Sequence, residues 1–450
     1  MEGPACAGPS AVGSEKVAEN VVGLRYRVVV HGVAPRSPRD RYTAPRQCVL
    51  PVCNGADAQL PLLERHSVAT MIKKVDAWNQ LSRLVLRGYK SIAECDIELG
   101  TLNVLIGANG AGKSNFIGFF RLIGRLLDRQ LQVAVGSAGG PDAMLYFGRK
   151  KTEELHAELY FRNVGYKLSL AATQDNRMMF AREALWWSKR GDLESIAGHF
   201  ETSISDNETV PGLYGSVLPA MRSWRLYHFL DTSLTALVKQ IHGINDNAYL
   251  REDARNLAAF LYRLKNHHDE HYRRIVKAVK LVAPFFGDFL LRPTVDNAGK
   301  IQLEWTEEGY DAPFTASALS DGTLRFICLA TVLLQPEEFM PAAILIDEPE
   351  LGLHPFAISV LGGLMKSAAN EHQLIVSTQS VELVNEFDAE DLIVVDKRGG
   401  ASTFKRPDAD ALAEWLADYS LGELWKKNLL GGRPTRFDSR MPRLEALAPV

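Results

Sequence analysis

Eight consecutive residues, Gly107-Ala108-Asn109-Gly110-Ala111-Gly112-Lys113-Ser114, join a glycine-rich turn to a lysine and a hydroxyl. Such a turn lets backbone N–H groups point inward around the phosphates of a nucleotide. Lys113 can reach the β- and γ-phosphates, and Ser114 can ligate Mg²⁺. The apolar strand Leu102-Asn103-Val104-Leu105-Ile106 precedes the turn, and a helix opens at Lys113-Ser114 and runs through Phe116, Ile117, Phe119 and Phe120. The helix N-terminus adds partial positive charge where phosphates would lie. This strand–loop–helix setting makes the eight residues a Walker A loop and predicts binding of a nucleoside triphosphate.

Two carboxylates supply the second half of the chemistry. Ala342-Ala343-Ile344-Leu345-Ile346 reads as a buried central strand, and Asp347-Glu348 follow it directly. Asp347 is the expected Mg²⁺ partner, and Glu348 is the expected base that orients or activates the attacking water. A third element is Leu319-Ser320-Asp321-Gly322-Thr323, ahead of the apolar helix Leu324 to Leu334. Ser320 suits a helix N-cap and Gly322 permits close backbone approach. Because the chain already has its own phosphate loop, this turn is read as serving the γ-phosphate held by another subunit. A fourth is the strand Gln373 to Thr378, which delivers Gln379-Ser380 at its C-terminal end. Ligands of open α/β sheets bind at such ends.

The elements around these residues follow from periodicity. Leu81 to Leu86 and Cys95 to Leu99 alternate like strands about a turn at Gly88-Tyr89-Lys90-Ser91-Ile92, and Glu154–Phe161 with Tyr166–Leu170 read as a hairpin. Residues from about 216 to 285 read as helical, with Leu234, Leu237, Val238 and Ile241, then Leu257, Phe260, Leu261 and Leu264, at helical spacing. Ile301 to Trp305 reads as a strand, and Asp408 to Tyr419 as a helix with Leu412, Trp415 and Leu416 on one face. The expected organisation is a disordered N-terminal extension over 1–75 and an ATPase N-terminal lobe with Walker A and a β subdomain over 76–215. A helical insertion over 216–290, a C-terminal lobe over 291–400 and a helical tail over 401–450 complete it.

Composition narrows the class. Hydrophobic residues make up 46% and charged residues 23% of the 450, as in ordinary globular proteins. The formal net charge of −3 leaves no global basic field, so any nucleic-acid surface must be a local patch. Five cysteines are too few for a disulfide framework, and no apolar run is long enough for a membrane span, so a cytoplasmic protein without a membrane partner is expected. Cys6, Cys48 and Cys53 share the extension with His31 and His66, at spacings that match no compact zinc ligand pair.

Together these motifs resemble the ABC-type branch of P-loop ATPases that includes RecF, SMC heads and the OLD-type ATPases. The resemblance is strongest to bacterial AAA-type ATPases that share the run seen here as Asp347-Glu348-Pro349-Glu350-Leu351-Gly352-Leu353-His354-Pro355. It covers about residues 81 to 430, most specifically Gly107–Asn115, Leu319–Arg325, Ile346–Pro355 and Ser377–Ser380. Also similar are Tyr89-Lys90-Ser91 and Trp224 to Phe229. The resemblance implies an α/β P-loop NTPase head of ABC/SMC type, with a β-rich subdomain and a helical insertion.

It implies ATP and Mg²⁺ as ligands. Gly107, Asn109, Gly110, Ala111, Gly112, Lys113, Ser114 and Asn115 would cradle the nucleotide, and Ser320 and Gly322 would act from a second chain. Ser114 and Asp347 would hold the metal; Glu348, Lys113 and Gln379 would form the catalytic set. The expected assembly is a homodimer or higher oligomer of heads. Family members act in DNA repair, chromosome organisation and phage defence, and no Toprim segment follows the head, so a nuclease effector would be a separate protein. Two departures stand out: Asp321 and Thr323 replace a glycine and a glutamine of the signature, and Gln379 stands where the superfamily often has histidine. Glutamine can hydrogen-bond a phosphate or water but carries no charge, so slow hydrolysis is expected. Gln130 and Gln132 are weak candidates for a glutamine loop. The alternative function is a RecF-like DNA-binding repair ATPase, suggested by Arg255, Arg263, Lys265, Arg273, Arg274, Lys277 and Lys280 within Arg251–Lys280.

Overall fold

A computed structural model describes residues 80–204, 214–229 and 231–432. The extension read over 1–75, with its cysteines and histidines, lies outside them. The described residues fall within one compact unit, Leu62–Val450. Its centre is a six-stranded sheet in the order Ala401–Lys405, Leu392–Arg398, Leu102–Ile106, Gln373–Thr378, Ala343–Asp347, Arg225–Tyr227. All neighbours run parallel except the first pair.

The strands are apolar on both faces because both faces are covered. Leu102, Val104 and Ile106 enter one core with Ile344, Ile346, Leu374 and Val376. Leu105, Leu345, Ile375, Ile393 and Val395 enter the other. The strand period of two thus sorts one continuous apolar run into two layers. The first layer is built mainly from the helices Leu257–His267, Asp269–Val282, Asp321–Leu334 and Pro355–Ala369. Asp321–Leu334 is buried at every position from Leu324 to Leu334, so it has no solvent face. Each leucine buried there contributes about 1.5–3 kcal/mol. The second layer is the helix Lys113–Leu127, through Phe116, Phe120 and Ile123, and a second sheet, through Leu84, Leu86, Leu155 and Leu168.

That second sheet has six antiparallel strands in the order Ile92–Glu98, Arg83–Tyr89, Glu154–Phe161, Val164–Ala172, Met178–Trp187, Gly191–Ile196. It contains the hairpin expected at Glu154–Phe161 and extends it by further strands.

Other expectations need correction. The Leu234 to Ile241 spacing does not make a helix; only the short 3₁₀ turn Leu237–Lys239 forms. Val238 is buried, but Leu234 is 76% and Ile241 50% exposed, so no apolar face is packed to sustain a helix. The segment 216–290 is not purely a helical insertion, since Arg225–Tyr227 pairs with the central strand Ile344–Ile346 and Phe286–Phe289 is also a strand. The run Ile301–Trp305 is split. Asn297–Ile301 pairs with Pro293–Thr294 and His242–Gly243, whereas Glu304–Glu307 pairs with Phe286–Phe289 and Tyr310–Thr315. Between them Gln302 leaves the ladder and donates from Nε2 to the Lys239 carbonyl at 3.2 Å. The tail over 401–450 begins with a strand of the central sheet before the helix Ala409–Leu416, which Asp408 caps. Leu412 packs on the core there while Trp415 and Leu416 are exposed. Among the described residues no helix is long and apolar enough to cross a membrane.

Candidate nucleotide-binding site

Three adjacent parallel strands deliver the motif residues to one edge. Register sets Ile106 opposite Thr378 and Asp347 opposite Ser377. The phosphate loop, Gln379 and the Asp347-Glu348 pair therefore leave the sheet in one row at its carboxyl end, the ligand side of open α/β sheets. In the loop, Gly107, Gly110 and Gly112 have φ of 156°, 77° and 122°, conformations that side chains rarely adopt. A methyl on Gly107 would strike the Val395 carbonyl, and one on Gly112 would strike Ser402. Asn109 and Gly110 are exposed at the tip, Ala111 is buried, and Ser114 is exposed in the first helical turn. No side chain caps that helix N-terminus, and the first N–H groups of a helix have no intrahelical acceptor.

Lys113 folds back over the loop. Its Nζ donates to the carbonyls of Gly107 at 2.6 Å and Ala108 at 3.2 Å. Burial draws its pKa down, opposed by the fields of Glu348, Asp347 and Glu350. The loop is braced from beneath by a chain of hydroxyls. Ser402 Oγ donates to the Ala111 carbonyl at 2.5 Å, lies 2.7 Å from Ser91 Oγ, and Asn115 Nδ2 donates to Ser91 at 2.7 Å. With one proton per hydroxyl, Ser91 must donate to Ser402. Asn115, expected at the nucleotide, thus directs its amide to the Ser91 turn. The Gly432 carbonyl accepts the Ala108 N–H at 2.8 Å. Sequence reasoning missed Ser402 and Gly432, which lie about 290 and 320 residues along the chain from their partners.

The acids are held by the neighbouring strand. Asp347 Oδ1 accepts from Ser377 Oγ. Glu348 sits at φ 49°, which few non-glycine residues occupy, with its N–H bonded to the Ser377 carbonyl at 2.9 Å. Its carboxylate accepts from Gln379 Nε2, and the Gln379 N–H donates to Glu350 Oε1 at 2.8 Å. Glu350 is only 8% exposed, its Oε2 has no hydrogen-bond partner among the described residues, and burial pushes its pKa above the ordinary 4.5. Sequence reasoning passed over Glu350 as a site residue, although the spacing Asp-Glu-Pro-Glu was the available signal. Cys95 and Cys328 are buried and their thiols are pushed up to about 12, so neither is poised as a nucleophile.

The signature turn forms as the sequence suggested. Ser320 Oγ accepts the Thr323 N–H at 3.1 Å and caps the helix Asp321–Leu334. Gly322 lies against the Gly352 carbonyl with no room for a side chain. Arg325 ties three segments together, donating from Nε to the Phe229 carbonyl at 2.7 Å and from Nη1 to the Leu351 carbonyl. The unexpected carboxylate of Asp321 has a cation beside it, Lys239 Nζ at 3.8 Å.

Residues 102–385 match the family described as "AAA domain, putative AbiEii toxin, Type IV TA system". The chain belongs to this family. Its fold is that of SMC heads. The "SmcHead bound to the C-winged helix domain of ScpA" aligns over 74% of this chain and 99% of that one, with a TM-score of 0.51 and 17% identity. An Smc head from Pyrococcus furiosus, bound to the C-terminal domain of ScpA, aligns over 75% and 98%, with a TM-score of 0.49 and 16% identity. No curated protein matches the chain in sequence.

Other sequence candidates are committed elsewhere in this AAA-family chain. Gln132 Nε2 donates to the carbonyls of Met178 and Phe200, each at 2.8 Å, which ties it to the antiparallel sheet, and Gln130 meets Arg125 at 3.4 Å. In the basic stretch, Arg251 pairs with Asp246, Arg255 with Asp253, Lys265 with Asp288, Arg273 with Asp269 and Lys280 with Glu308. Arg263 Nη1 donates to the Asn247 carbonyl at 3.0 Å and its guanidinium lies over Phe339. Much of the charge expected to contact DNA phosphates is therefore neutralised within the fold.

Proposed function

We propose that this chain is an ATP-driven switch that closes as a sandwich of two heads and hydrolyses ATP slowly, acting in phage defence with a separate effector such as a nuclease. One observation carries the reading: Lys113, Asp347, Glu348 and Gln379 emerge in one row at the sheet edge, with Lys113 in the field of both acids. Backbone N–H groups between Gly107 and Ser114 would cradle the β-phosphate, and Lys113 would swing from its loop carbonyls to the γ-phosphate. Ser114 and Asp347 are the residues that would hold Mg²⁺. When bound, that ion offsets the charge developing on the β- and γ-oxygens. Among the described residues no cluster of three or more His, Cys, Asp or Glu could hold a metal, so the phosphates would complete the site, as suits this ion.

Glu348 would orient the attacking water. Gln379 donates to one oxygen of the Glu348 carboxylate, which holds it in place and leaves the other oxygen for the water. Glutamine brings no charge to the γ-phosphate, which supports the slow turnover of a switch. Ser320 and Gly322 of a second copy would complete the γ-phosphate site. Leu234 at 76%, Leu351 at 38% and Phe356 at 54% exposure lie in the segments flanking that turn and leave apolar surface for a second head to cover. The family description names a putative AbiEii toxin of a Type IV TA system, which favours a defence role over housekeeping repair.

Infecting cells that carry the gene and its neighbours, with and without Lys113→Ala, tests the biological role. Protection lost in the variant is expected, and equal phage sensitivity would sink the role for the phages used. The RecF-like alternative now rests on Arg274 and Lys277, which make no ion pair among the described residues. ATP-stimulated, salt-sensitive DNA binding would revive it.

A further inference from the structure

Lys239 is a lysine whose side chain is only 4% exposed, while its neighbour Asp321 is 64% exposed. Its Nζ donates to the Thr232 carbonyl at 2.5 Å and lies 3.8 Å from Asp321 Oδ1. The backbone is fixed as well. The turn Leu237–Lys239 packs on the turn Ala316–Ala318 that leads into the signature, and the Lys239 carbonyl accepts from Gln302 Nε2 at 3.2 Å. Burying an ammonium is costly unless it serves a charge. Asp321 is the first residue of the signature helix, where the helix dipole favours an anion. The same N-terminus is where the γ-phosphate of a second head would dock, so carboxylate and phosphate compete for one positive end.

We propose that Lys239 is a positioning residue of the trans site. It holds and neutralises Asp321, so that a triphosphate carried by a second copy of the chain can approach Ser320 and Gly322. This rests on the sandwich reading above and extends it to a residue outside the sequence motifs. At 3.8 Å, and with Asp321 largely in water, the pair is worth little in the isolated head. It gains weight when docking removes water from it and brings the phosphate charge close.

The test measures ATP-dependent self-association by sedimentation, in a Glu348→Gln background that retains ATP. Lys239→Met is expected to weaken association roughly tenfold or more while leaving ATP affinity of the single head unchanged, since coupling between close interfacial charges reaches that size. Adding Asp321→Asn to Lys239→Met should restore association to within about threefold, because the charge that needed compensation is gone. If the double variant stays as weak as Lys239→Met, Lys239 is merely structural and the proposal is overturned. Should Lys239→Met fail to fold, Asp321→Asn alone decides: equal or tighter association supports the proposal, and weaker association overturns it. Failure of the Glu348→Gln parent to associate with ATP would instead remove the sandwich reading, and this inference with it.

Discussion

Gly322→Ala separates two opposing effects at the signature turn. Gly322 lies in the first turn of the helix Asp321–Leu334 without a positive φ. On propensity alone, alanine there would stabilise the helix by up to about 1 kcal/mol. A methyl group would, however, come within 3.0 Å of the Gly352 carbonyl oxygen and lie 3.3 Å from its carbonyl carbon. The obstacle is backbone, and Arg325 pins that turn from the other side through the Leu351 carbonyl, so neither partner yields cheaply. Overpacking of this kind costs about 1–3 kcal/mol. The clash therefore wins, with net destabilisation of up to about 2.5 kcal/mol from the difference of these two ranges. The variant should melt a few degrees below the parent in a thermal scan. Binding of a fluorescent ATP analogue at the distant phosphate loop should change less than about twofold, and ATP-dependent self-association should be lost. A melting temperature equal to or above that of the parent would refute the packing argument.

Other perturbations act on single links of the site. Glu350→Gln keeps the acceptor for the Gln379 N–H but removes a buried carboxyl whose pKa is raised above 4.5. Because the native state holds that proton more tightly than the unfolded chain, stability falls as pH rises through and above 4.5. The variant should thus melt above the parent at pH 7, with the gap closing on acidification toward pH 4.5; a pH-independent difference would contradict this. Gln379→Ala frees the Glu348 carboxylate and removes the link to the next strand. Because the amide holds Glu348 in place, turnover should fall about 10- to 100-fold with ATP affinity little changed, as measured by phosphate release. A faster variant would show that the amide only obstructs. Ser402→Ala removes the hydroxyl that holds the Ala111 carbonyl and is expected to cost about 1–3 kcal/mol, read as a lower melting temperature and weaker ATP binding. Unchanged melting and affinity would remove Ser402 from the brace.

The sequence carried the phosphate loop, the Asp347-Glu348 pair and the Ser320 cap because each is encoded by neighbours within a few residues. Strand alternation and the three-glycine loop need no distant partner to be recognised. What it could not carry was their support. Ser402 beneath Ala111, Gly432 on Ala108 and Lys239 beside Asp321 are long-range contacts made by ordinary residue types in segments without motif character. Periodicity also misled where burial did not follow it: Leu234 and Ile241 have helical spacing but face solvent. Ile301 to Trp305 reads as one strand, yet its two ends serve different sheets. Gln132 has a residue type suited to a phosphate-sensing loop, but its amide fastens the antiparallel sheet.

In the proposed function, Glu348 performs the chemistry on ATP held by the Gly107–Ser114 loop. The most direct measurement compares ATP binding and phosphate release by the purified protein and its Glu348→Gln variant in the presence of Mg²⁺. Equal ATP affinity, slow release by the parent, and release at least about 100-fold slower in the variant are expected. Equal release by both proteins, or a parent that does not bind ATP, would contradict that function.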